Sequence, residues 1–204
     1  HTLIIKEIER SIIFYDWKFI LSYLPSGSFL VGGYIRDLIL GRLNSEIDVD
    51  IIVPKNAVEI GKKIAYKFEG KFIILDNTRD IGRIIFKNIS IDIASQMSPS
   101  IEIDLLGRDF SINAIAFSFD KKFLIDPSNG IKDLQISLLR TNSKKNLLDP
   151  LGWGSEKLRK STIVPTSTCR VHLFGDSFMN FEPYKKLEYK DKLITPENII
   201  SIKT

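Results

Sequence analysis

The sequence predicts an α+β domain over residues 1–150. Apolar residues recur at helical spacing near the start of the chain, whereas short apolar or alternating runs, typical of strands, dominate its middle. The helix and strand patterns do not follow one another in regular βαβ order, which disfavours a doubly wound parallel sheet. Residues 151–204 are polar, interrupted by glycine and proline, and are predicted to form an atypical C-terminal segment.

The first elements are two helices separated by a short strand. Helical spacing of apolar residues predicts a helix over Leu3–Tyr23, which ends before Pro25. A strand is then predicted at Phe29–Val31. A second helix follows over Tyr34–Leu40, and Gly41 ends it.

A strand-rich region follows. Ile47–Val53 first alternates and then becomes wholly apolar, which predicts a strand buried at one end. Asn56 is the predicted cap of a helix that reaches Phe68. Lys87 and Asn88 separate two apolar runs and predict a hairpin turn between them. The later strands are predicted at Phe72–Leu75, Gly82–Phe86, Ile89–Ala94, Ile112–Phe119 and Phe123–Ile125.

Composition limits the classes of protein to which the chain can belong. With 204 residues, 44% of them apolar, it can form one sizeable core. Its 29 Lys and Arg against 25 Asp and Glu permit a polyanionic partner without indicating one. Cys169 is the single cysteine, which excludes an internal disulfide and a cysteine-rich zinc site and predicts a cytoplasmic location. No apolar run approaches the roughly 18 residues of a membrane span.

Two aspartates lie on the predicted strand Ile47–Val53. Asp48 and Asp50 are two residues apart, so their side chains project from one face, with Cβ atoms roughly 7 Å apart. Divalent cations would relieve their repulsion, and carboxylate oxygens prefer Mg²⁺ or Mn²⁺. Two acids on a solvated strand face are the alternative. All other residues of the strand are apolar, which favours the metal site.

A glycine turn precedes these acids. Gly32 and Gly33 lie between a strand and a helix, where backbone amides can approach an anion without a Cβ in the way. Arg36 follows in the first turn of the helix, where its guanidinium could bind a phosphate. Alternatively, the glycines form only a tight turn and Arg36 pairs with Asp37 at the surface. Together with the acidic pair, the turn indicates a nucleoside triphosphate site.

Four ordered motifs carry a resemblance to a known family. LVGGYIRDLILG and EIDVDIIV are followed by DLLGRDFSINAIAF and LIDPSNGIKDLQISLLR. This order resembles the head domain of the class II tRNA nucleotidyltransferase and poly(A) polymerase family, within the DNA polymerase beta-like nucleotidyltransferase superfamily. The similarity covers about residues 28–151. It implies a mixed or antiparallel sheet with flanking helices.

The resemblance also implies roles for residues around the two first motifs. Gly32, Gly33 and Arg36 would contact the incoming nucleoside triphosphate. Asp48 and Asp50 would be the catalytic residues and would hold the metal ions. The implied cofactor is therefore Mg²⁺ or Mn²⁺.

The third motif adds residues that would face the phosphates and ribose of the nucleotide: Arg108, Asp109 and Asn113. From the residues alone, Arg108 could instead form a structural ion pair with Asp109 or Asp104. Asp92, on a neighbouring predicted strand, is either a third carboxylate of the site or an ordinary acid at a strand end.

The chain departs from the family pattern at two glycines. Gly107 stands where the family usually has a second arginine before its aspartate. Asn146–Gly152, NLLDPLG, is similar to the segment that opens the family's helical neck, but Gly152 replaces the arginine expected there. The choice between CTP and ATP therefore stays open.

The C-terminal segment contains a second, weaker similarity. Arg170–Met179, RVHLFGDSFM, is similar to the GDS block of SGNH-type hydrolases, in which Ser177 would be the nucleophile. No histidine follows Ser177, so the triad cannot form in that family's order. Chance similarity is the favoured interpretation, and a fusion or frameshift near Leu151 is left open.

Three functions are compatible with these observations. The first is metal-dependent transfer of nucleoside monophosphates from CTP or ATP to the 3′ end of RNA, with tRNA as the expected acceptor. The second is a head domain that binds nucleotide or RNA without turnover. The third, transfer to a small-molecule acceptor, is disfavoured by the motifs.

Overall fold

The computed structural model describes residues 1–43 and 45–142, together with four short strands further along the chain. Its contacts divide the chain into two units. The first unit comprises His1–Asp104 and Ile115–Asp126, and the second comprises Leu105–Ala114 and Pro127–Thr204. The predicted domain boundary at residue 150 lies outside the described residues.

A seven-stranded mixed sheet forms the centre of the first unit. The strands stand in the order β3-β4-β5-β2-β1-β6-β7, and only the β2–β5 pair of this sheet is parallel. The bounds are β1 Phe29–Val31, β2 Ile47–Val53, β3 Lys71–Asp76, β4 Ile81–Ile85, β5 Ile89–Ser95, β6 Ala116–Ser118 and β7 Leu124–Ile125. The predicted α+β class and the predicted hairpin between β4 and β5 are confirmed.

Helices flank this sheet. They are α1 Thr2–Phe14, α2 Gly33–Ile39, α3 Ala57–Lys67 and α4 Ile101–Leu106, and a 3₁₀ helix covers Lys18–Tyr23. Helix α3 packs on β3, β4 and β5. Gly61 allows this close approach, since a Cβ there would lie 2.4 Å from the ring of Phe72. In the described part of the chain, no helix combines the length and the apolar character needed to cross a membrane.

The second unit contains shorter elements. A 3₁₀ turn at Ser111–Asn113 and helix α5 at Gly130–Gln135 precede strand β8 at Leu138–Thr141. The later strands are β9 Arg170–Leu173, β10 Ser177–Asn180, β11 Lys186–Tyr189 and β12 Lys192–Ile194. β9 and β10 pair antiparallel, while β11 pairs with β8 in parallel and with β12 antiparallel.

The predicted helix over Leu3–Tyr23 is wrong in its extent. Helix α1 ends at Phe14, and Asp16 has a positive φ of 54°, which a continuous helix does not permit. The break brings Trp17 into the core, where it is fully buried and makes an edge-to-face contact with Tyr34 at 5.7 Å between ring centroids. Burial of this large ring compensates for the interrupted helix.

Two further predictions are corrected by tertiary contacts. Asn56 stands at the start of α3 but has φ 60° and makes no capping hydrogen bond through its side chain. Asp80 caps this helix instead, accepting hydrogen bonds from the backbone N–H groups of Ala57 at 2.8 Å and Val58 at 3.0 Å. The strand predicted over Ile112–Phe119 covers only Ala116–Ser118.

Candidate active site

Asp48 and Asp50 lie on one face of β2. The strand alternates as predicted, since Asp48 is exposed and Asp50 is half-buried, while Ile47, Val49 and Ile51 are buried on the opposite face. β2 is a central strand between β1 and β5, so its backbone is fixed on both sides. The sheet therefore presents two carboxylates from a rigid strand whose other face is core.

The glycine turn begins beside these carboxylates. β1 runs antiparallel to β2, and Val31 is the register partner of Asp50, so Gly32 follows immediately after that pair. Gly32 has φ 75° and ψ −138°, a conformation that favours glycine. Its N–H donates to the carbonyl of Ile115 at 3.2 Å. The structure thus brings the turn and the acidic pair together at one end of two neighbouring strands.

Arg36 lies on α2, directly after this turn. Its side chain is only 3% exposed, and its Nε and Nη2 donate to the two carboxylate oxygens of Asp37 at 2.8 and 2.7 Å. The pair that the sequence left open therefore exists, but its guanidinium is buried rather than at the surface. Such a bidentate pair holds the guanidinium in one orientation.

Helix α2 is anchored to α1 through a buried hydrogen-bonded chain. Trp17 Nε1 donates to the hydroxyl of Tyr34 at 3.3 Å, and that hydroxyl donates to Ser11 Oγ at 2.8 Å. Burial raises the pKa of Tyr34, because it disfavours the phenolate. These contacts hold the helix that carries Arg36 in place.

Asp92 occupies the position next to Asp50 on the neighbouring parallel strand β5. It is half-buried, and Arg83 on β4 donates to both of its oxygens at 2.6 and 2.9 Å. The sequence reasoning missed Arg83. A signal for it existed, because the two-residue hairpin at Lys87 and Asn88 places residue 83 opposite residue 92.

The acidic pair fits a magnesium site. Among the residues that the structure describes, no group of three His, Cys, Asp or Glu could hold a metal ion. Two carboxylates are nevertheless a common protein contribution to a Mg²⁺ site, because this ion keeps several waters and takes its remaining ligands from substrate phosphates. Asp48 and Asp50 match that donor set.

The second unit contains the remaining predicted site residues. Asp109 accepts hydrogen bonds from the N–H of Phe110 at 2.8 Å and from the side chain of Asn113. Burial raises the pKa of Asp109, although these bonds and the charge of Arg108 oppose the change. Arg108 thus acts electrostatically on Asp109.

Asn142 holds the backbone of this segment. Its Nδ2 donates to the carbonyls of Leu105 at 3.2 Å and Arg108 at 3.0 Å, and its backbone N–H donates to the carbonyl of Asp109 at 3.0 Å. The sequence reasoning missed Asn142, because nothing in its immediate neighbours marks a contact more than 30 residues away. Asn142 therefore fixes the loop that carries Arg108 and Asp109.

Gly130 and Asp133, in the motif LIDPSNGIKDLQISLLR, brace the turn at Ser111–Asn113. Asp133 is fully buried, accepts a hydrogen bond from Ser111 Oγ at 2.6 Å and lies 3.2 Å from Nη2 of Arg140. A Cβ on Gly130 would lie 2.1 Å from the carbonyl oxygen of Ser111. The sequence indicated a turn at DPSNG and a resemblance for the motif, whereas the structure gives Gly130 and Asp133 a bracing role.

Two predictions concern the C-terminal segment: the departure from the family pattern at Gly152 and the role of Ser177 as a nucleophile. The structure tests neither of them. Gly152 lies outside the described residues. Ser177 begins strand β10 and is the register partner of Leu173 on β9, which is a statement about the backbone alone.

Comparison with known proteins adds to this geometry. A family model described as the poly A polymerase head domain matches residues 28–140. The chain belongs to this family. The head domain is 42% identical over 131 residues to the CC-adding tRNA nucleotidyltransferase of Synechocystis, covering 64% of this chain and 32% of that protein. It is 35% identical over 128 residues to the A-adding tRNA nucleotidyltransferase of Deinococcus radiodurans, covering 62% and 28%.

Solved structures agree with the fold of the head domain. The Thermotoga maritima CCA-adding enzyme complexed with tRNA matches with a TM-score of 0.53 and 34% identity, covering 60% of this chain and 30% of that one. A complex of a CCA-adding enzyme with CTP matches with a TM-score of 0.53 and 33% identity, covering 60% and 31%. The chain spans about a third of the length of the relatives it matches.

Proposed function

We propose that this head domain transfers nucleoside monophosphates from CTP or ATP to the 3′ end of tRNA or another RNA, with Mg²⁺ or Mn²⁺ as cofactor. One observation carries the proposal: Asp48 and Asp50 share a face of β2 beside the turn that begins at Gly32. Support comes from relatives named CC-adding and A-adding tRNA nucleotidyltransferases. A cytoplasmic location is part of the proposal.

The residues of the first unit have distinct tasks in this reaction. Asp48 and Asp50 would hold the cation, which when bound supplies charge neutralisation and alignment of the attacking hydroxyl with the phosphate chain. The turn at Gly32 and Gly33 allows the triphosphate to approach the backbone, since no side chain intervenes. Arg36 contributes a guanidinium whose orientation is set by Asp37.

Residues of the third sequence motif, DLLGRDFSINAIAF, complete the proposed nucleotide-binding set. Arg108, Asp109 and Asn113 would face the phosphates and the ribose, a role that rests on the motif alone. Asn113 already donates to Asp109, so these two side chains are organised before a nucleotide binds. Preorganised donors lose little entropy when a ligand arrives.

A head domain that binds nucleotide or RNA without turnover is the second candidate function. The observation in its favour is that the turn at Gly32 and Gly33 and the buried Arg36 would serve nucleotide binding as well as transfer. The acidic pair favours the first candidate, because nucleotide binding alone does not require two carboxylates on one strand face.

An incorporation assay on the 204-residue chain tests the proposal. The protein is incubated with Mg²⁺, labelled CTP or ATP and tRNA that lacks its 3′ end. We expect Asp48→Asn and Asp50→Asn to lower incorporation of label by on the order of 10²-fold or more, because each removes charge stabilisation at the reacting phosphate. Glu59→Gln is the matched control, since it removes an exposed acid that pairs with Lys63 on α3.

The outcomes separate the candidates. Label in the RNA that depends on both aspartates supports transfer. Nucleotide binding without incorporation supports the second candidate. Incorporation that persists unchanged in both aspartate variants would overturn the proposed site.

A further inference from the structure

The ion pair between Arg83 and Asp92 lies in the same row of the sheet as Asp50. Arg83 on β4 is the register partner of Asp92 on β5, and Asp92 is the register partner of Asp50 on β2. Register partners on adjacent strands project from the same face and lie about 4.8 Å apart along the row. Asp92 is therefore the nearest acid on a neighbouring strand to the carboxylates of β2.

The geometry of the pair satisfies the carboxylate of Asp92. Nε of Arg83 lies 2.6 Å from one oxygen and Nη2 lies 2.9 Å from the other. Only 24% of the Arg83 side chain and 26% of the Asp92 side chain are exposed, so solvent screens the pair incompletely. Two parallel, charge-assisted hydrogen bonds fix the direction of both groups.

The pair also explains why three neighbouring acids do not form a metal cluster. Asp48, Asp50 and Asp92 share one face of the sheet, yet the described residues include no trio of acids able to hold a metal ion. Both oxygens of Asp92 accept hydrogen bonds from the guanidinium of Arg83, and the pair has no net charge with which to attract a cation.

We propose that Arg83 is a positioning residue that holds Asp92 out of the metal-binding set, so that the cation site of this head domain consists of the two β2 carboxylates. The inference rests on the proposed function, because it assumes that Asp48 and Asp50 bind the cation. It assigns to Arg83 a control over charge at the site that no motif of the sequence indicated.

Binding of Mn²⁺ alone, followed by electron paramagnetic resonance, tests the inference on the 204-residue chain. In Arg83→Met, Asp92 keeps its charge beside Asp50, and we expect Mn²⁺ to bind about 5- to 10-fold more tightly. In Arg83→Met/Asp92→Asn, both charges are removed, and we expect affinity within about twofold of the wild type. Arg79→Met is the matched control, because it removes an arginine that pairs with Asp76, away from this row.

Each outcome decides the inference. The double variant removes both members of the pair and leaves no lone charge, so it provides an answer even if Arg83→Met does not fold. Binding by the double variant that is weaker than wild type by about threefold or more would show that Asp92 is a ligand and would overturn the inference. Unchanged Mn²⁺ affinity in a folded Arg83→Met variant would also overturn the inference.

Failure of the proposed function gives a different result. If Asp50→Asn binds Mn²⁺ as tightly as the wild type, the two β2 carboxylates are not the cation site, and the proposed function fails together with the inference. If Asp50→Asn loses Mn²⁺ binding while Arg83→Met behaves like the wild type, only the inference fails.

Discussion

The buried aspartate of the second unit and the two aspartates on the sheet of the first unit differ in their surroundings. Asp133, in the second unit, is fully buried, accepts a hydrogen bond from the hydroxyl of Ser111 and forms an ion pair with the guanidinium of Arg140. Asp48 and Asp50, in the first unit, lie on a sheet face where one is exposed and the other half-buried. A fully buried carboxylate such as Asp133 stabilises the fold through fixed protein partners, whereas a carboxylate that solvent reaches can exchange water for a cation. The degree of burial therefore distinguishes the two uses.

The largest expected effect tests this contrast directly. Asp133→Ala should lower the free energy of unfolding by about 2–4 kcal/mol, because it removes a buried charge-assisted hydrogen bond and the partner of Arg140. Asp48→Ala should change it by no more than about 0.5 kcal/mol, because that side chain is exposed. Urea unfolding measures both, and similar losses in the two variants would contradict the contrast.

A second prediction examines the brace around Asp133. Gly130→Ala should destabilise the chain by about 1–3 kcal/mol, since the new Cβ would meet the Ser111 carbonyl at 2.1 Å and backbone would have to move. Gly41→Ala is the control for conformational strain alone. Gly41 has φ 64° and open space around it, and its replacement should cost about 1 kcal/mol. Thermal unfolding compares the two, and a smaller loss in Gly130→Ala would argue against the brace.

A third prediction concerns the loop that Asn142 holds. Asn142→Asp keeps the shape of the side chain but removes the amide that donates to two carbonyls, and we expect a loss of about 1–2 kcal/mol. The exposed turn residue Asn88 provides the matched control, since Asn88→Asp makes the same chemical change. Urea unfolding of both variants measures the difference. Equal stability in the two variants would remove Asn142 from its bracing role.

The smallest effect is a dependence on pH at the capping residue of α3. Burial acts to raise the pKa of Asp80, but hydrogen bonds from Ser95 and from the backbone of Val58, Ala57 and Asn56 outweigh it, so the pKa lies below its ordinary value. A lowered pKa means that the stabilisation is present above the unfolded value and is lost as pH falls through the folded value.

Unfolding measured between about pH 5 and pH 2 should therefore show the advantage of the wild type over Asp80→Asn shrinking as the solution becomes more acidic. A constant difference over that range would mean that the charge of Asp80 does not contribute to the cap.

Local patterns were sufficient for the sheet around the acidic pair. The alternation in Ile47–Val53 predicted which face of β2 would be buried, because side chains along a strand alternate between two faces. The turn at Lys87 and Asn88 predicted the β4–β5 hairpin, and a two-residue turn at that position places Arg83 opposite Asp92.

The elements that the sequence misplaced depend on distant partners. The helix predicted to Tyr23 ends at Phe14, because burying Trp17 against Tyr34 stabilises the fold more than a longer helix would. Asp80 caps α3 from more than 20 residues away, so inspection of Asn56 could not identify the cap.

The sequence by itself determined the α+β class, the membership of the motifs in one family and the common face of Asp48 and Asp50, since these depend on periodicity and on neighbouring residues. The tertiary structure alone decided that Asn142 holds the Arg108 loop and that Asp133 is fully buried. The physical reason is that a buried or half-buried polar group needs a partner, and folding selects that partner by its position in space.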